Sequence, residues 1–163
     1  MRTSVDDMTT TLENQLRANH RIKIYKSSPE LLDAMVALSA ASAKDVEPEI
    51  GELIKIRASQ INHCGFCLNM HLVDARKHGV SEQKLDVLAA WEEAGDLFTD
   101  REKAALALTE AITEITDGVP DDVYARAAEV FGERELGQVI AMAVTINAWN
   151  RINVTVRTAI PRR

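Results

Sequence analysis

The chain has 163 residues, enough for one domain that can bury a hydrophobic core. Its net charge of −6 and pI of about 5.2 argue against a nucleic-acid surface and against attraction to anionic lipid. No stretch reaches the roughly 18 consecutive apolar residues of a membrane span, and the N-terminus lacks the apolar run of a secretory signal. We therefore expect a cytoplasmic protein without nucleic-acid or membrane partners.

Helix signals are frequent along the chain, and strand signals are scarce. Ala, Leu and Glu dominate several stretches, whereas seven glycines and four prolines leave few positions for tight turns. We predict an all-α fold of six to seven helices. It should form a single domain over residues 1–163, with its core at about residues 28–157.

The first three predicted helices precede residue 80. Ser28-Pro29-Glu30 provides an N-cap, a proline at the first helical position and an early acid, so a helix should run to about Ala43. Its residues at core spacing are Leu31, Leu32, Met35 and Leu38. Pro48 should open a second helix that ends at Asn62 or His63, with an apolar stripe of Ile50, Leu53, Ile54, Ala58 and Ile61. A third should begin near Cys64 and end at Gly79.

Four more helices are predicted in the rest of the chain. One should span residues 81–95, and a capping box of Thr99 and Glu102 should open another that ends near Thr116. A short helix should follow at 121–130. The last, at 134–157, is apolar on nearly all sides, which predicts a place in the core or in a subunit interface.

The chemistry-bearing residues lie at the start of the third predicted helix. Both cysteines of the chain fall in a CxxC motif, Cys64 and Cys67. At about 100° per residue, a helix brings these two and His71 to one face. A helix N-terminus favours a thiolate, which can attack a peroxide; the second cysteine can then condense with the sulfenic acid to a disulfide. His71 is placed to relay a proton.

Two other interpretations of these residues exist. The cysteines could be inert buried side chains. Alternatively, Cys64, Cys67 and His71, with His63 or Glu52, could ligate a structural zinc ion. Structural zinc sites usually draw ligands from a second Cys/His cluster, and the sequence contains none. We therefore predict no metal site.

Glu52 lies off the apolar stripe of its helix, as a solvated glutamate would. However, Ile56, one turn later on the same side, is apolar, so that face is not plainly exposed. A buried glutamate would have a raised pKa and could accept a proton from a nearby thiol or imidazole.

The motif as a whole resembles a known family. A Glu twelve residues before a CxxC and a His four residues after it, here Glu52 and His71, are similar to the core motif of the AhpD-like alkylhydroperoxidases of the carboxymuconolactone decarboxylase superfamily. The resemblance continues at residues 75–82 and 147–154, and so covers most of the chain from about 28 to 157.

The resemblance implies an AhpD-like all-α fold that assembles into trimers or hexamers, and a thiol peroxidase without a cofactor. It implies that Cys67 attacks the peroxide, that Cys64 resolves the sulfenic acid, and that Glu52 and His71 form the proton relay. Cys64 would then meet a dithiol reductant, which in the best-known members is a dihydrolipoyl group on a partner protein.

One position departs from the family pattern. The founding members carry a His between the cysteines, where this chain has Phe66. Phe66 cannot carry a proton, which predicts weaker peroxidase activity or a different oxidant. His63 precedes the motif, and we do not transfer the role to it. The decarboxylase branch generally lacks the CxxC, so we expect no lactone decarboxylation.

The leading hypothesis from the sequence is a reductase of small hydroperoxides that uses a dithiol reductant. A general dithiol–disulfide oxidoreductase, with Cys64 attacking first, is one alternative. A non-enzymatic redox-sensing or metal-binding scaffold is the other.

Overall fold

A computed structural model describes residues 21–162, and within that range the fold is all-α with no strand. The expectations for residues 1–20 lie outside the described part. The α-helices are α1 (Ile24–Ser27), α2 (Pro29–Ser42), α3 (Pro48–Ile61), α4 (Gly65–Lys77), α5 (Glu82–Val87), α6 (Asp100–Thr113), α7 (Asp121–Val130) and α8 (Glu133–Val156). Two 3₁₀ helices follow α5 and α6, at Leu88–Glu93 and Ile115–Asp117. The all-α class is confirmed; α1 is a single turn in addition to the predicted helices.

The prediction of one continuous helix over residues 81–95 is wrong. The α-helix ends at Val87, and Ala90 lies outside helical geometry within the 3₁₀ segment. The buried side chains there are spaced three apart: Leu85, Leu88 and Trp91. A 3₁₀ helix has three residues per turn, so this geometry keeps Leu88 and Trp91 on the core side, next to Leu85 at the end of the α-helix.

The two predicted helix caps behave differently. Thr99 and Glu102 form the complete capping box at the start of α6, as predicted. Ser28 precedes α2, but its side chain makes no capping hydrogen bond, because its backbone (φ −145°, ψ 75°) is not in the usual cap conformation. Ser28 and Pro29 therefore mark the start of α2 correctly, but the capping hydrogen bond predicted for Ser28 does not form.

Helix α3 lies at the centre of the molecule and supplies both core clusters. Ile50, Ile54 and Ala58 pack with residues of α6, α7 and α8. Leu53 and Ile56 pack into a second cluster, which is completed by α4, α5, the first 3₁₀ helix and α6. Because α3 is buried on both sides, a polar residue on it, such as Glu52, is held in the interior.

Helix α2 contributes less to the core than predicted. Met35 is buried, but Leu32 and Leu38 are exposed, as is Val36. The helix packs chiefly against α8 and α1, so one narrow edge of it is covered. An apolar face therefore remains open. None of the helices in residues 21–162 is long and apolar enough to cross a membrane.

Candidate active site

The connection between α3 and α4 places the CxxC motif at a helix N-terminus. Asn62 caps the end of α3, and His63 reverses the chain in the left-handed conformation (φ 55°). Cys64 is then the N-cap of α4, and its Sγ accepts a hydrogen bond from the backbone N–H of Cys67 at 3.3 Å. The predicted helix start is confirmed.

The two cysteines are joined by a disulfide, and each side chain is about 1% exposed. Their surroundings differ. Cys67 lies in the first turn of α4, one turn before His71, whereas Cys64 has non-helical backbone (φ −85°, ψ 87°). Cys67 and His71 therefore lie within the helix, whereas Cys64 precedes it as the N-cap, with its sulfur bonded to that of Cys67.

Glu52 and His71 form a buried pair between α3 and α4. Glu52 Oε2 lies 3.1 Å from His71 Nδ1, and Glu52 Oε1 accepts a hydrogen bond from Lys55 Nζ at 2.5 Å. Glu52 is 3% exposed and His71 8%. The half-exposed His78 lies on the other side, with its Nδ1 3.6 Å from Glu52 Oε1. One carboxylate thus connects a buried imidazole with an ammonium group and a histidine nearer to solvent.

The expectation that Glu52 is buried is right, but the expected direction of its pKa is wrong. Burial acts to raise the pKa of Glu52, yet the hydrogen bonds from His71 and Lys55 and their charges outweigh it and hold the pKa below its ordinary value of 4.5. Glu52 is therefore ionised at neutral pH. It can orient the His71 ring through this contact, but it is a weak proton acceptor itself.

An apolar cavity of about 580 Å³ opens onto Cys67 and His71. Its walls are mostly aliphatic and aromatic side chains from α1, α2, α4 and α8: Tyr25, Leu32, Phe66, Met70, Ile146 and Trp149. Lys55, bound to Glu52, also lies on its wall. Cys67 contributes to the lining, whereas Cys64 does not. The volume and lining suit a small organic molecule with an apolar body.

Helix α8 contributes a residue that the sequence analysis missed. Asn153 Nδ2 lies 3.8 Å from Cys67 Sγ and also donates to the Trp149 carbonyl at 3.0 Å. Thr158 fixes the orientation of this amide by donating to Asn153 Oδ1 at 2.7 Å. The contact gives the Cys67 sulfur a neutral hydrogen-bond donor within the cavity.

Two further asparagines of α8 anchor the turn before Cys64. Asn62 Nδ2 donates to Asn147 Oδ1 at 2.8 Å and to Asn150 Oδ1 at 3.1 Å, and Asn150 donates to Ser59 Oγ. With Asn153, these residues recur at every third position in the C-terminal half of α8. That spacing places polar groups on one buried face, and it is the signal that could have identified them from the sequence.

In the described range, no group of three or more His, Cys, Asp or Glu side chains is arranged to hold a metal ion. The two cysteine sulfurs are bonded to each other, and Glu52 is occupied by His71 and Lys55.

Comparison with known proteins agrees with the fold and the motif. The family model of the carboxymuconolactone decarboxylase family matches residues 29–111. The uncharacterized protein YdfG of Bacillus subtilis is 39% identical over 138 residues, which are 83% of this chain and 93% of YdfG. The chain belongs to the carboxymuconolactone decarboxylase family. Within the family it is AhpD-like, as the sequence motif predicted.

Two solved structures add detail about this family member. One is a protein of unknown function from Agrobacterium tumefaciens, a candidate antioxidant defence protein of the AhpD type. It superposes with a TM-score of 0.83 at 35% identity, over 88% of this chain and 99% of its own. The other is the debrominase Bmp8, with a TM-score of 0.73 at 20% identity over 83% of this chain and 74% of its own. At that identity the second likeness concerns the fold alone.

Proposed function

We propose that this chain is a thiol-dependent hydroperoxide reductase in which Cys67 attacks the peroxide and Cys64 resolves the product. The observation that carries the proposal is the bonded Cys64–Cys67 pair, with Cys67 and His71 on the wall of one apolar cavity. Membership of an AhpD-like family, and likeness to a candidate antioxidant protein, support the same reaction class.

The reaction begins with the Cys67 thiolate in the cavity. It attacks the outer oxygen of the hydroperoxide, the O–O bond breaks, and the alcohol leaves after taking a proton from His71. Cys67 becomes a sulfenic acid. The Cys64 thiol then gives its proton to His71, and the resulting thiolate attacks the Cys67 sulfur. His71 returns that proton to the departing hydroxide, which leaves as water, and the disulfide forms. Glu52 keeps the His71 ring oriented and stabilises its positive charge between these steps.

The apolar wall favours organic hydroperoxides over hydrogen peroxide. Phe66, at the position where the founding members have a His, is part of this wall. It offers contact area to an apolar substrate body in place of proton transfer, so proton transfer rests on His71, which Glu52 holds in place. We expect a dithiol reductant, such as a lipoyl-bearing protein, to return the oxidised pair to the dithiol form in the reducing environment of the cytoplasm.

The function is tested with cumene hydroperoxide and a dithiol donor, assayed for peroxide consumption. The wild type should form one Cys64–Cys67 disulfide per peroxide in a single turnover, and Cys67→Ser should abolish consumption. Cys64→Ser should still react once and then stop at the sulfenic acid, detectable with a dimedone-type probe. Full peroxide consumption by Cys67→Ser would refute the assignment.

The same assay separates the alternatives. Poor peroxide turnover with efficient exchange on protein disulfides would indicate a general dithiol–disulfide oxidoreductase. Stoichiometric metal in protein purified without chelator, lost in Cys64→Ala, would indicate a metal-binding scaffold. Neither result is compatible with the proposed reductase.

We also propose that the chain forms a homo-oligomer, a trimer or hexamer as in the related family members. The exposed apolar side chains Leu32 and Val36, one turn apart on α2, support a second copy as the partner of this helix face.

A further inference from the structure

The two sulfurs of the disulfide are not equally open to an incoming molecule. Both cysteines are about 1% exposed, so neither is reached from the molecular surface directly. The apolar cavity, however, is lined by Cys67 and not by Cys64. A thiol that enters the cavity therefore meets the Cys67 sulfur first.

We infer that the reducing thiolate attacks Cys67, and that Cys64 is the leaving group. This inference concerns the reductive half of the proposed reaction and rests on the proposed function for its place in a catalytic cycle. It differs from what the family resemblance implies, in which the resolving Cys64 meets the reductant. Cys67 would then be the sulfur that is attacked in both halves of the cycle.

The position of Cys64 suits a leaving thiolate. Cys64 is the N-cap of the 13-residue helix α4, and its Sγ accepts the backbone N–H of Cys67 at 3.3 Å. The unpaired N–H groups and the dipole of a helix N-terminus stabilise negative charge at this place. In thiol–disulfide exchange, the sulfur whose thiolate is better stabilised leaves faster. Access and leaving-group stability therefore select the same direction.

The exchange balances with a dithiol as the two-electron reductant. Its first thiol gives a proton to His71 and attacks Cys67 Sγ; the Cys64–Cys67 bond breaks, and Cys64 leaves as a thiolate. The second thiol of the reductant then attacks the first sulfur within the mixed disulfide and releases the Cys67 thiolate. The reductant becomes a disulfide, the cysteine pair gains two electrons, and the two thiol protons pass to His71 and Cys64.

The cavity also restricts the shape of the reductant. Its lining is aliphatic and aromatic, so a dithiol at the end of an apolar chain should enter more readily than a charged thiol such as glutathione. Because peroxide and reductant use one cavity, they exclude each other. We expect excess apolar dithiol to inhibit turnover competitively with the organic hydroperoxide.

The direction of attack is tested without any peroxide. Oxidised wild-type protein is mixed with mercaptohexanol, quenched in acid within milliseconds, blocked with N-ethylmaleimide and mapped by tandem mass spectrometry. We expect the mercaptohexanol adduct on Cys67 and the maleimide on Cys64. An adduct on Cys64, or equal amounts on both at the earliest time, would overturn the inference.

A second measurement covers the case in which the mixed disulfide is too short-lived to trap. Cys64→Ser and Cys67→Ser each retain one thiol, which is reacted with an octyl pyridyl disulfide while pyridinethione release is followed. We expect the folded Cys64→Ser variant to react about tenfold faster than Cys67→Ser, because in the folded protein Cys67 is open to the cavity and this access outweighs the stabilisation of the Cys64 thiolate at the helix N-terminus. The difference should be lost in urea. Equal reaction rates for the two folded variants, or a faster reaction of Cys67→Ser, would contradict the inference that Cys67 is the accessible sulfur.

The cavity route is tested with a charged residue at its wall. Met70 lines the cavity and is 43% exposed, so Met70→Glu should fold; Val144, 51% exposed on α8, is absent from the lining and gives the matched control Val144→Glu. Reduction of the disulfide by dihydrolipoamide should slow several-fold in Met70→Glu and stay unchanged in the control. Unchanged reduction in both would overturn the cavity route. Peroxide consumption is measured separately, so the proposed function can fail while this inference stands, and the reverse.

Discussion

The burial of Glu52 could be predicted from the sequence, but the direction of its pKa shift could not. Its spacing from the CxxC and the apolar Ile56 indicated burial, and the residue is buried. The predicted direction of its pKa assumed burial alone. Lys55, one turn along the same helix, and His71, on the neighbouring helix, add hydrogen bonds that outweigh the desolvation. Periodicity predicts exposure, but it does not predict which donors converge on a carboxylate.

The lowered pKa of Glu52 predicts a pH dependence of stability. A carboxyl whose pKa is lower in the folded state stabilises the fold above its unfolded value of 4.5, and this contribution is lost as the pH falls through the folded value. The free energy of unfolding of the oxidised wild type should thus exceed that of Glu52→Gln at pH 6. The gap should narrow below pH 4.5. Urea unfolding of both proteins at several pH values measures this difference in the free energy of unfolding.

The matched background for this measurement is Lys55→Met, which removes one of the two donors to Glu52. In the Lys55→Met background, Glu52→Gln should change the free energy of unfolding less, and with a weaker dependence on pH, than it does in the wild type. A gap that does not change with pH in the wild type would contradict the pKa direction.

At the level of helices, the sequence predicted where each helix starts better than it predicted the contacts that its side chains make. Seven of the eight described α-helices begin within about two residues of the predicted start, α1 being the exception, because prolines and N-cap residues act locally. The break in the helix predicted over residues 81–95 follows from tertiary packing of Leu85, Leu88 and Trp91, which no local signal encodes. Likewise, the contact between Asn153 and Cys67 joins residues 86 positions apart.

The two predicted helix caps provide a comparison at this level. Thr99 accepts from the backbone N–H of Glu102, whereas Ser28 makes no capping bond. Thr99→Ala should lower the free energy of unfolding by about 1 kcal/mol, and Ser28→Ala should change it by only a few tenths. Chemical denaturation of both variants measures the difference. An equal loss in the two would mean that Ser28 does cap α2.

Over the whole molecule, the motif and the composition were enough to predict the family and the all-α class. They did not predict which apolar side chains are exposed. Leu32 and Leu38 of α2 were predicted to be core residues but are exposed, because helical spacing does not show which apolar side chains another element of the chain covers. That residues 1–163 form one domain, and that the protein is cytoplasmic, stay predictions.

The open face of α2 predicts the effect of a charge on assembly. Val36 is 56% exposed in the single chain. If a second copy covers this face, Val36→Glu should shift the protein to a smaller species in size-exclusion chromatography with light scattering, because a buried unpaired charge is costly. Ala128→Glu, at an exposed position of α7, is the control and should leave the mass unchanged. The same mass for all three proteins would argue against an interface at α2.

The two tryptophans of the chain lie in different surroundings, and this allows tryptophan fluorescence to be used as a probe of the cavity. Trp149 lines the cavity that reaches Cys67, and its indole N–H donates to Ser39. Trp91 lies in the second core cluster, with its N–H on Glu110. In a Trp91→Phe background, the remaining emission comes from the wall of the cavity beside the redox pair. Fluorescence should therefore report both the entry of a ligand and the oxidation state of the cysteines in real time, without an added label.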